Sequence, residues 1–147
     1  MSTIRDAAHG DVPFVLDLLY ELGRPRPAGE QEEDMFKRVI SGYIADADKG
    51  LLVAESDHSV VGLVSIMFLA RCNHAGPEMY IPELVVRADC RGRGIGRALA
   101  EECMRIAGTR GCHRIRLESG NQRMDSHDFY RHLGFSQQAL SFEFLIS

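Results

Sequence analysis

Apolar positions along the chain follow a helical period in some stretches and a strand period in others. They recur every three or four residues over 12–22, 35–44 and 95–106, which predicts three helices with one buried face each. Apolar or alternating runs over residues 51–55, 60–70, 80–86 and 113–119 predict strands between turn-forming residues. We also expect a short strand at residues 4–5, a helix over 126–133, and one or two strands within 136–146. This order predicts an α/β (α+β) fold, with a mixed sheet of about six to seven strands flanked by about four helices.

Length and composition agree with one globular domain over residues 1–147, because hydrophobic residues make up 45% of the chain and charged residues 26%. The net charge of −4 argues against nonspecific nucleic-acid binding, which depends on many lysines and arginines. No apolar run reaches the length of a membrane span, and the first residues do not resemble a secretion signal. We therefore expect a cytoplasmic protein with no nucleic-acid or membrane role.

The cysteines and histidines do not form a metal-binding pattern. The four cysteines have no Cys-x-x-Cys spacing, so reduced thiols are expected. His127 and His132 are five residues apart, which does not place them on the same face of a helix. The sequence therefore predicts no metal site.

The most informative stretch is residues 80–99, where an apolar strand leads through a basic, glycine-rich turn into a helix. A helix start leaves several backbone N–H groups without intrahelical partners and carries roughly half a positive charge, which favours phosphate binding. Arginines in the turn add full charges, and glycines allow a close approach of the backbone. No Gly-Lys-Ser/Thr follows, and Arg97 stands where the dinucleotide fingerprint needs glycine or alanine. An anion cradle for a small phosphorylated ligand is favoured over the alternative, a surface hairpin.

Two motifs carry a family resemblance. Arg91-x-x-Gly94-x-Gly96, directly after a strand with an acidic residue, resembles motif A of the GCN5-related N-acetyltransferases (GNAT), which is their pyrophosphate-binding signature for acetyl-coenzyme A. About 35 residues later, Phe129-Tyr130-Arg-His-Leu-Gly134-Phe135 is similar to the end of motif B in the same family. Two motifs in this order are more specific than either alone.

The resemblance implies a V-shaped cleft between two parallel strands, one of which bulges and splays from its neighbour. Pro82 is consistent with such a bulge because proline cannot donate a ladder hydrogen bond, although an edge strand would also accept it. The residues implied to bind acetyl-CoA are Leu84, Val85, Val86, Arg91, Gly92, Arg93, Gly94, Ile95, Gly96, Arg97 and Asn121.

The resemblance also implies a direct attack of an amine on acetyl-CoA in a ternary complex. Glu83 is at the position where many members place a general base, and Tyr130 matches their general acid. Glu83 could instead be a solvated or substrate-binding carboxylate, and Tyr130 could be a core aromatic. A non-catalytic acyl-CoA-binding regulatory module is the alternative from another class.

The acceptor is less well defined. The stretches Ile81-Pro-Glu-Leu-Val-Val and Asn121-x-Arg123-x-Asp125-x-His127-x-Phe-Tyr130 are similar to aminoalkylphosphonate N-acetyltransferases. We therefore expect a small-molecule primary amine, with an aminophosphonate favoured and with Arg71, His74 and Arg123 as candidate substrate contacts. The alternative acceptor is a protein lysine or N-terminus. Loops 23–29 and 71–78 are candidate substrate loops, and a homodimer through the terminal strands is compatible with this architecture.

Overall fold

A mixed six-stranded sheet organises the computed structural model, which describes residues 2–120 and 123–147. The strands are β1 (Ser2–Asp6), β2 (Lys49–Ser56), β3 (Ser59–Leu69), β4 (Glu78–Ile81), β5 (Leu84–Val86) and β6 (Arg114–Leu117). The helices are α1 (Val12–Leu22), α2 (Glu30–Ala45), α3 (Ile95–Thr109) and α4 (Met124–His132). The predicted class and the approximate numbers of strands and helices are confirmed.

The sheet follows the order β1-β2-β3-β4-β6, while β5 pairs with β3 off this path. Strands β1 to β4 are joined by antiparallel pairs, and the β2–β3 hairpin turns through Asp57 and His58, both with positive φ. Two central residues with positive φ are typical of the tight turn that matches strand twist. The contacts divide the chain into two compact units, Met1–Arg116 and Leu117–Ser147.

The strand predicted over residues 80–86 is interrupted at Pro82. Tyr80 pairs with Met67 and Leu84 pairs with Val64, so four steps along this strand oppose three steps along β3. One extra residue is therefore accommodated between β4 and β5, which is the definition of a bulge. Of the two arrangements that the proline allowed, a bulge or an edge strand, the structure shows a bulge.

A glycine on β3 brings α3 close to the sheet. A Cβ atom added to Gly62 would lie 3.2 Å from a methyl group of Leu99 and 3.3 Å from one of Ile95. Gly62 also pairs with Val86 at the end of β5. The first turn of α3 is therefore packed on the sheet next to the strand that precedes the glycine-rich turn.

The buried face predicted for α2 is wider than the observed one. Met35 and Val39 are 55% and 61% exposed. Ile40 is buried, and Phe36 and Tyr43 pack partly buried against the same core. Because α2 packs on α1 and β2 through this narrower stripe at i, i+4 and i+7, the other two predicted positions are more than half exposed.

In the second unit, α4 begins two residues before the predicted start, and the chain leaves it through Gly134 at φ 101°. The strands predicted within residues 136–146 are wrong, because the structure assigns no strand there. An alternating pattern describes one face of a strand, but a strand also needs a hydrogen-bonded neighbour. Over the described ranges, no helix has both the length and the apolar character that crossing a bilayer requires.

Candidate functional site

The glycine-rich turn forms a cradle of backbone amides. Gly92 and Gly94 have φ values of 79° and 81°, in the left-handed region that favours glycine. Gly94 caps α3, and the Ala98 N–H donates the first helical hydrogen bond to its carbonyl at 3.0 Å. The preceding amides, at residues 95–97, therefore lie in the first turn and have no intrahelical acceptors. The predicted anion cradle has the backbone geometry that phosphate binding needs.

Three exposed arginines surround this helix start. The Arg91 Nε group donates to the Val86 carbonyl at 3.1 Å and so ties the turn to the end of β5. The Arg97 Nε atom is 3.6 Å from the Glu101 carboxylate, and both side chains are more than half exposed. Arg93 is exposed as well. Solvent screens the charge of each arginine, but the sum of these charges gives the surroundings of the helix start a positive potential.

The backbone of β5 presents one edge away from β3. The Ser65 N–H donates to the Glu83 carbonyl at 2.9 Å, just before β5 begins. Because bonded and outward residues alternate in an antiparallel pair, Val85 is also bonded to β3. The backbone groups of Leu84 and Val86 therefore point to the opposite edge. Two of the three predicted β5 residues have outward polar groups, while the backbone of Val85 is engaged in the sheet.

The bulge holds the Glu83 side chain in a defined position. The Ser65 hydroxyl donates to Glu83 Oε1 at 2.5 Å, and the Glu83 N–H donates to Ser65 Oγ at 2.9 Å. Arg24 Nη2 lies 3.4 Å from Glu83 Oε2 and donates to the Pro82 carbonyl at 3.1 Å. Because the Glu83 side chain is still 23% exposed, its carboxylate is positioned without being sealed from solvent.

A cavity of about 440 Å³ opens beside this carboxylate. It is lined by residues of α1, α2, β2 and β3 together with the loop after α1, and its polar lining residues are Tyr20, Arg24, Tyr43, Ser65 and Glu83. Burial raises the pKa of the Tyr43 phenol, and the negative charge of Glu83 raises it further. The Tyr43 hydroxyl therefore remains protonated at neutral pH.

Two of the predicted substrate contacts, Arg71 and His74, interact with other side chains of the protein. Arg71 Nη1 lies 3.7 Å from the carboxylate of Glu78, which is fully buried and also accepts a hydrogen bond from Arg114 Nε at 2.5 Å. The His74 ring stacks on His113 with 3.7 Å between ring centroids. Neither Arg71 nor His74 is among the residues that line the described cavity.

Two of the remaining predicted residues, Tyr130 and Arg123, belong to the second unit. The Tyr130 ring makes edge contacts with the rings of Phe129 and Phe135, at centroid distances of 5.1 and 5.7 Å. Arg123 precedes the first residue of α4. Asn121 lies outside the described residues. Glu83, β5 and the cradle are thus brought together in the first unit, while Tyr130 and Arg123 are held on α4 and at its start.

Sequence reasoning missed three residues that shape this region. Ser65 is the one polar side chain in the apolar run of β3, which was an available signal. Arg24 lies in the loop at residues 23–29, which the sequence indicates as a candidate substrate loop only as a whole. Glu78 gave no local sign of burial, because its partner Arg114 is 36 residues away.

The model of the acetyltransferase (GNAT) family matches residues 16–135. The aminoalkylphosphonate N-acetyltransferase of Salmonella typhimurium is 27% identical over 139 residues, which cover 95% of this chain and 88% of that protein. The chain spans only 45–49% of the length of the first vertebrate N-acetyltransferases that it matches.

Solved structures share the fold over nearly the whole chain. A transcriptional regulator from Bacillus halodurans C-125 has a TM-score of 0.86 and 28% identity, covering 98% of this chain and 100% of that one. The glucosamine-6-phosphate N-acetyltransferase of Arabidopsis thaliana has a TM-score of 0.83 at 20% identity, covering 100% of this chain and 99% of its own. The second likeness supports the fold alone.

Proposed function

Because the chain belongs to the acetyltransferase (GNAT) family, we propose that it transfers the acetyl group of acetyl-CoA to the primary amine of a small molecule within a ternary complex. The family consists of acyltransferases, and its members use acetyl-CoA as the acetyl donor. The acceptor and the roles of individual residues are the proposed part.

One observation carries the proposal. A carboxylate, Glu83, is held by Ser65 at a bulge, lines a cavity and directly precedes the outward edge of β5. In the same unit, the helix start after Gly94 offers unpaired amides to phosphates. A place for an amine and a place for a phosphorylated donor therefore flank a single strand.

The acceptor amine must lose protons for transfer to occur. A primary amine with a pKa of about 10 is mostly protonated at neutral pH and must become neutral before it attacks the thioester carbon. Glu83 accepts that proton, directly or through water. The new C–N bond forms as the C–S bond breaks, and the outward N–H groups of β5 stabilise the carbonyl oxygen that gains negative charge.

The thiolate that leaves must be protonated. The family resemblance assigns this role to the hydroxyl of Tyr130. The attacking nitrogen releases its second proton to solvent and the Tyr130 phenolate regains one from solvent, so that the products are the CoA thiol and the N-acetylated amine. The edge contacts of the Tyr130 ring with Phe129 and Phe135 support the role, because they hold the aromatic ring in one orientation.

The test follows free thiol release from acetyl-CoA with a panel of amines, while acetyl-CoA binding is measured in parallel by calorimetry. The panel contains simple alkylamines, aminomethyl- and aminoethylphosphonate, polyamines, aminoglycosides and a lysine peptide. We expect release with at least one small amine. Release with the peptide alone would favour a protein acceptor, and binding without any release would favour a regulatory module. Absence of acetyl-CoA binding would refute the proposal.

The variant Glu83→Gln tests the base. We expect kcat at pH 7 to fall by about 10²-fold or more, the usual contribution of a positioned general base. The deficit should shrink as the pH approaches the pKa of the amine, since the amine then arrives neutral. Glu55→Gln, on β2 and outside the cavity lining, is the matched control and should retain activity. A deficit that does not change with pH would assign Glu83 to binding or structure instead.

A homodimer is the second part of the proposal. Leu140, Phe142, Phe144 and Ile146 alternate along the C-terminal segment and are 72–88% exposed. An exposed apolar segment of this length, which also includes Leu145 at 79% exposure, is expected to be covered by a partner, for which we propose a second copy of the chain. Light scattering should give a dimer for the wild type and a smaller species for a Phe142→Ser, Phe144→Ser double variant. A monomeric wild type would refute this part.

A further inference from the structure

The cavity beside Glu83 has an apolar lining. Of its fourteen lining residues in the described part of the chain, nine carry aliphatic side chains, a proline ring or a phenyl ring. Phe36 and Val39 of α2 contribute to one wall, and Leu16 and Leu19 of α1 to another. A volume of about 440 Å³ is within the range of about 300–1,000 Å³ that small-molecule pockets occupy.

The charged lining residues are few and are paired with each other. Among the described lining residues, only Glu83 and Arg24 carry charge, and their side chains are 3.4 Å apart. Arg24 also donates to the Pro82 carbonyl. Since Arg24 is 49% exposed, this ion pair is screened by solvent and an ammonium group can compete for the carboxylate.

An anionic acceptor lacks a dedicated site in this lining. A phosphonate carries up to two charges and is usually bound by several arginines or lysines. The cavity provides Arg24 alone among its described lining residues, and Arg71 is not one of them. The lining therefore suits an amine whose remaining atoms are apolar.

We infer that the acceptor is a primary amine with an alkyl or arylalkyl substituent, which binds with its nitrogen at Glu83 and its substituent in the cavity. This inference rests on the proposed function and names the substrate class of the same site. It replaces the aminophosphonate that the sequence favoured, because the apolar lining gains free energy from each methylene group that leaves water.

The test compares straight-chain primary amines from propylamine to heptylamine, with 2-phenylethylamine as an arylalkyl case and aminoethylphosphonate as the anionic case. We expect kcat/KM to rise about fourfold per methylene until the cavity is filled, which corresponds to about 0.8 kcal/mol per buried methylene. Aminoethylphosphonate should be the poorest substrate. A flat series, or a preference for aminoethylphosphonate, would overturn the inference.

A pair of variants on α2 tests whether the dependence of kcat/KM on chain length arises in the cavity. Val39 lines the cavity and is 61% exposed, so Val39→Asp adds a charge to the wall without burying it in the core. Met35, one turn earlier and 55% exposed, is not among the described lining residues, so Met35→Asp is the matched control. We expect Val39→Asp to lower kcat/KM for heptylamine at least tenfold and for propylamine less than twofold. Equal effects of the two variants would overturn the inference.

Binding of the same amines in the presence of CoA, measured by calorimetry, separates the two claims. Binding that strengthens with chain length but is not followed by acetylation would support an apolar cavity and overturn its assignment as the acceptor site. Acetylation without dependence on chain length would support the transfer and refute the apolar site. Neither binding nor acetylation across the series would refute the apolar site, while thiol release with another amine of the wider panel would still support the transfer.

Discussion

The buried carboxylate of Glu78 gives a test of the fold that is independent of any activity. Its side chain is fully buried at the start of β4, with Arg114 Nε at 2.5 Å from Oε1 and Arg116 Nε at 3.2 Å from Oε2. Arg71 is further away, at 3.7 Å. Glu78→Gln keeps the size of the side chain but removes its charge and turns an amide group toward a guanidinium.

The expected loss in the free energy of unfolding follows from the unequal burial of Glu78 and its arginine partners. Breaking a fully buried ion pair costs about 3–5 kcal/mol, whereas exposed pairs contribute about 0–1 kcal/mol. The Glu78 side chain is 0% exposed, but those of Arg114 and Arg116 are 48% and 37% exposed and can regain water. We therefore expect an intermediate loss of about 2–3 kcal/mol, between those two limits. For a chain of this size that corresponds to a fall in Tm of about 4–12 °C.

The dependence on pH provides a second signature. Burial raises the pKa of Glu78, but the hydrogen bonds from Arg114 and Arg116 outweigh it and hold the pKa below its usual value. A carboxyl group with a lowered native pKa stabilises the fold fully above the unfolded value of about 4.3, and this contribution disappears as the pH falls toward the native pKa. The difference between wild type and Glu78→Gln should therefore be largest near neutral pH and shrink below about pH 4.3.

The assay is urea unfolding of both proteins at several pH values, with linear extrapolation of the free energy of unfolding. Glu102→Gln is the matched control: this carboxylate pairs with Arg105 on the surface of α3, and its loss should leave the free energy of unfolding nearly unchanged. A loss below about 1 kcal/mol for Glu78→Gln at pH 7, the range of an exposed pair, would refute the reasoning. A difference that does not shrink in acid would refute it as well.

Three further predictions concern the cradle, the proposed acid and the thiols. Gly94→Glu should abolish acetyl-CoA binding in calorimetry by placing a negative charge at the helix start, while Gly94→Ala, with the same positive φ of 81°, should retain more affinity. Tyr130→Phe should lower kcat by on the order of 10²-fold and leave acetyl-CoA affinity unchanged; unchanged kcat would return the tyrosine to a packing role. Alkylation of the native protein should modify exposed Cys72 rapidly and spare Cys103, whose pKa burial raises to about 12, and rapid loss of both thiols would contradict this.

Local sequence was sufficient where short-range forces decide the conformation. The glycines and arginines of residues 91–97, between a strand and an amphipathic helix, predicted the cradle because backbone dihedrals and helix ends depend on neighbours in the chain. Pro82 likewise limited its strand to a bulge or an edge, since the missing donor is a property of the residue itself. The family resemblance predicted Glu83 as a candidate general base from its position in the strand.

Where the sequence alone failed, the missing information was a partner elsewhere in the chain. Residues 136–146 alternate as a strand does, but an alternating pattern does not create the neighbouring strand that a ladder needs. Val39 has the helical spacing that predicts burial, yet it is 61% exposed and lines a cavity. The width of the buried stripe depends on how α2 packs against α1 and β2.

The sequence by itself therefore determined the order of elements as far as α4, the glycine-rich helix start that forms the cradle, and the acetyltransferase family. Only the tertiary structure decided what surrounds the carboxylate: Ser65 is 18 residues from Glu83, and Arg24 is 59 residues away. It also decided that the neighbouring cavity is apolar, and from this lining we infer an apolar amine as the acceptor. The physical reason is that helix ends, turns and proline effects act over a few residues, whereas a cavity is made by packing distant segments together.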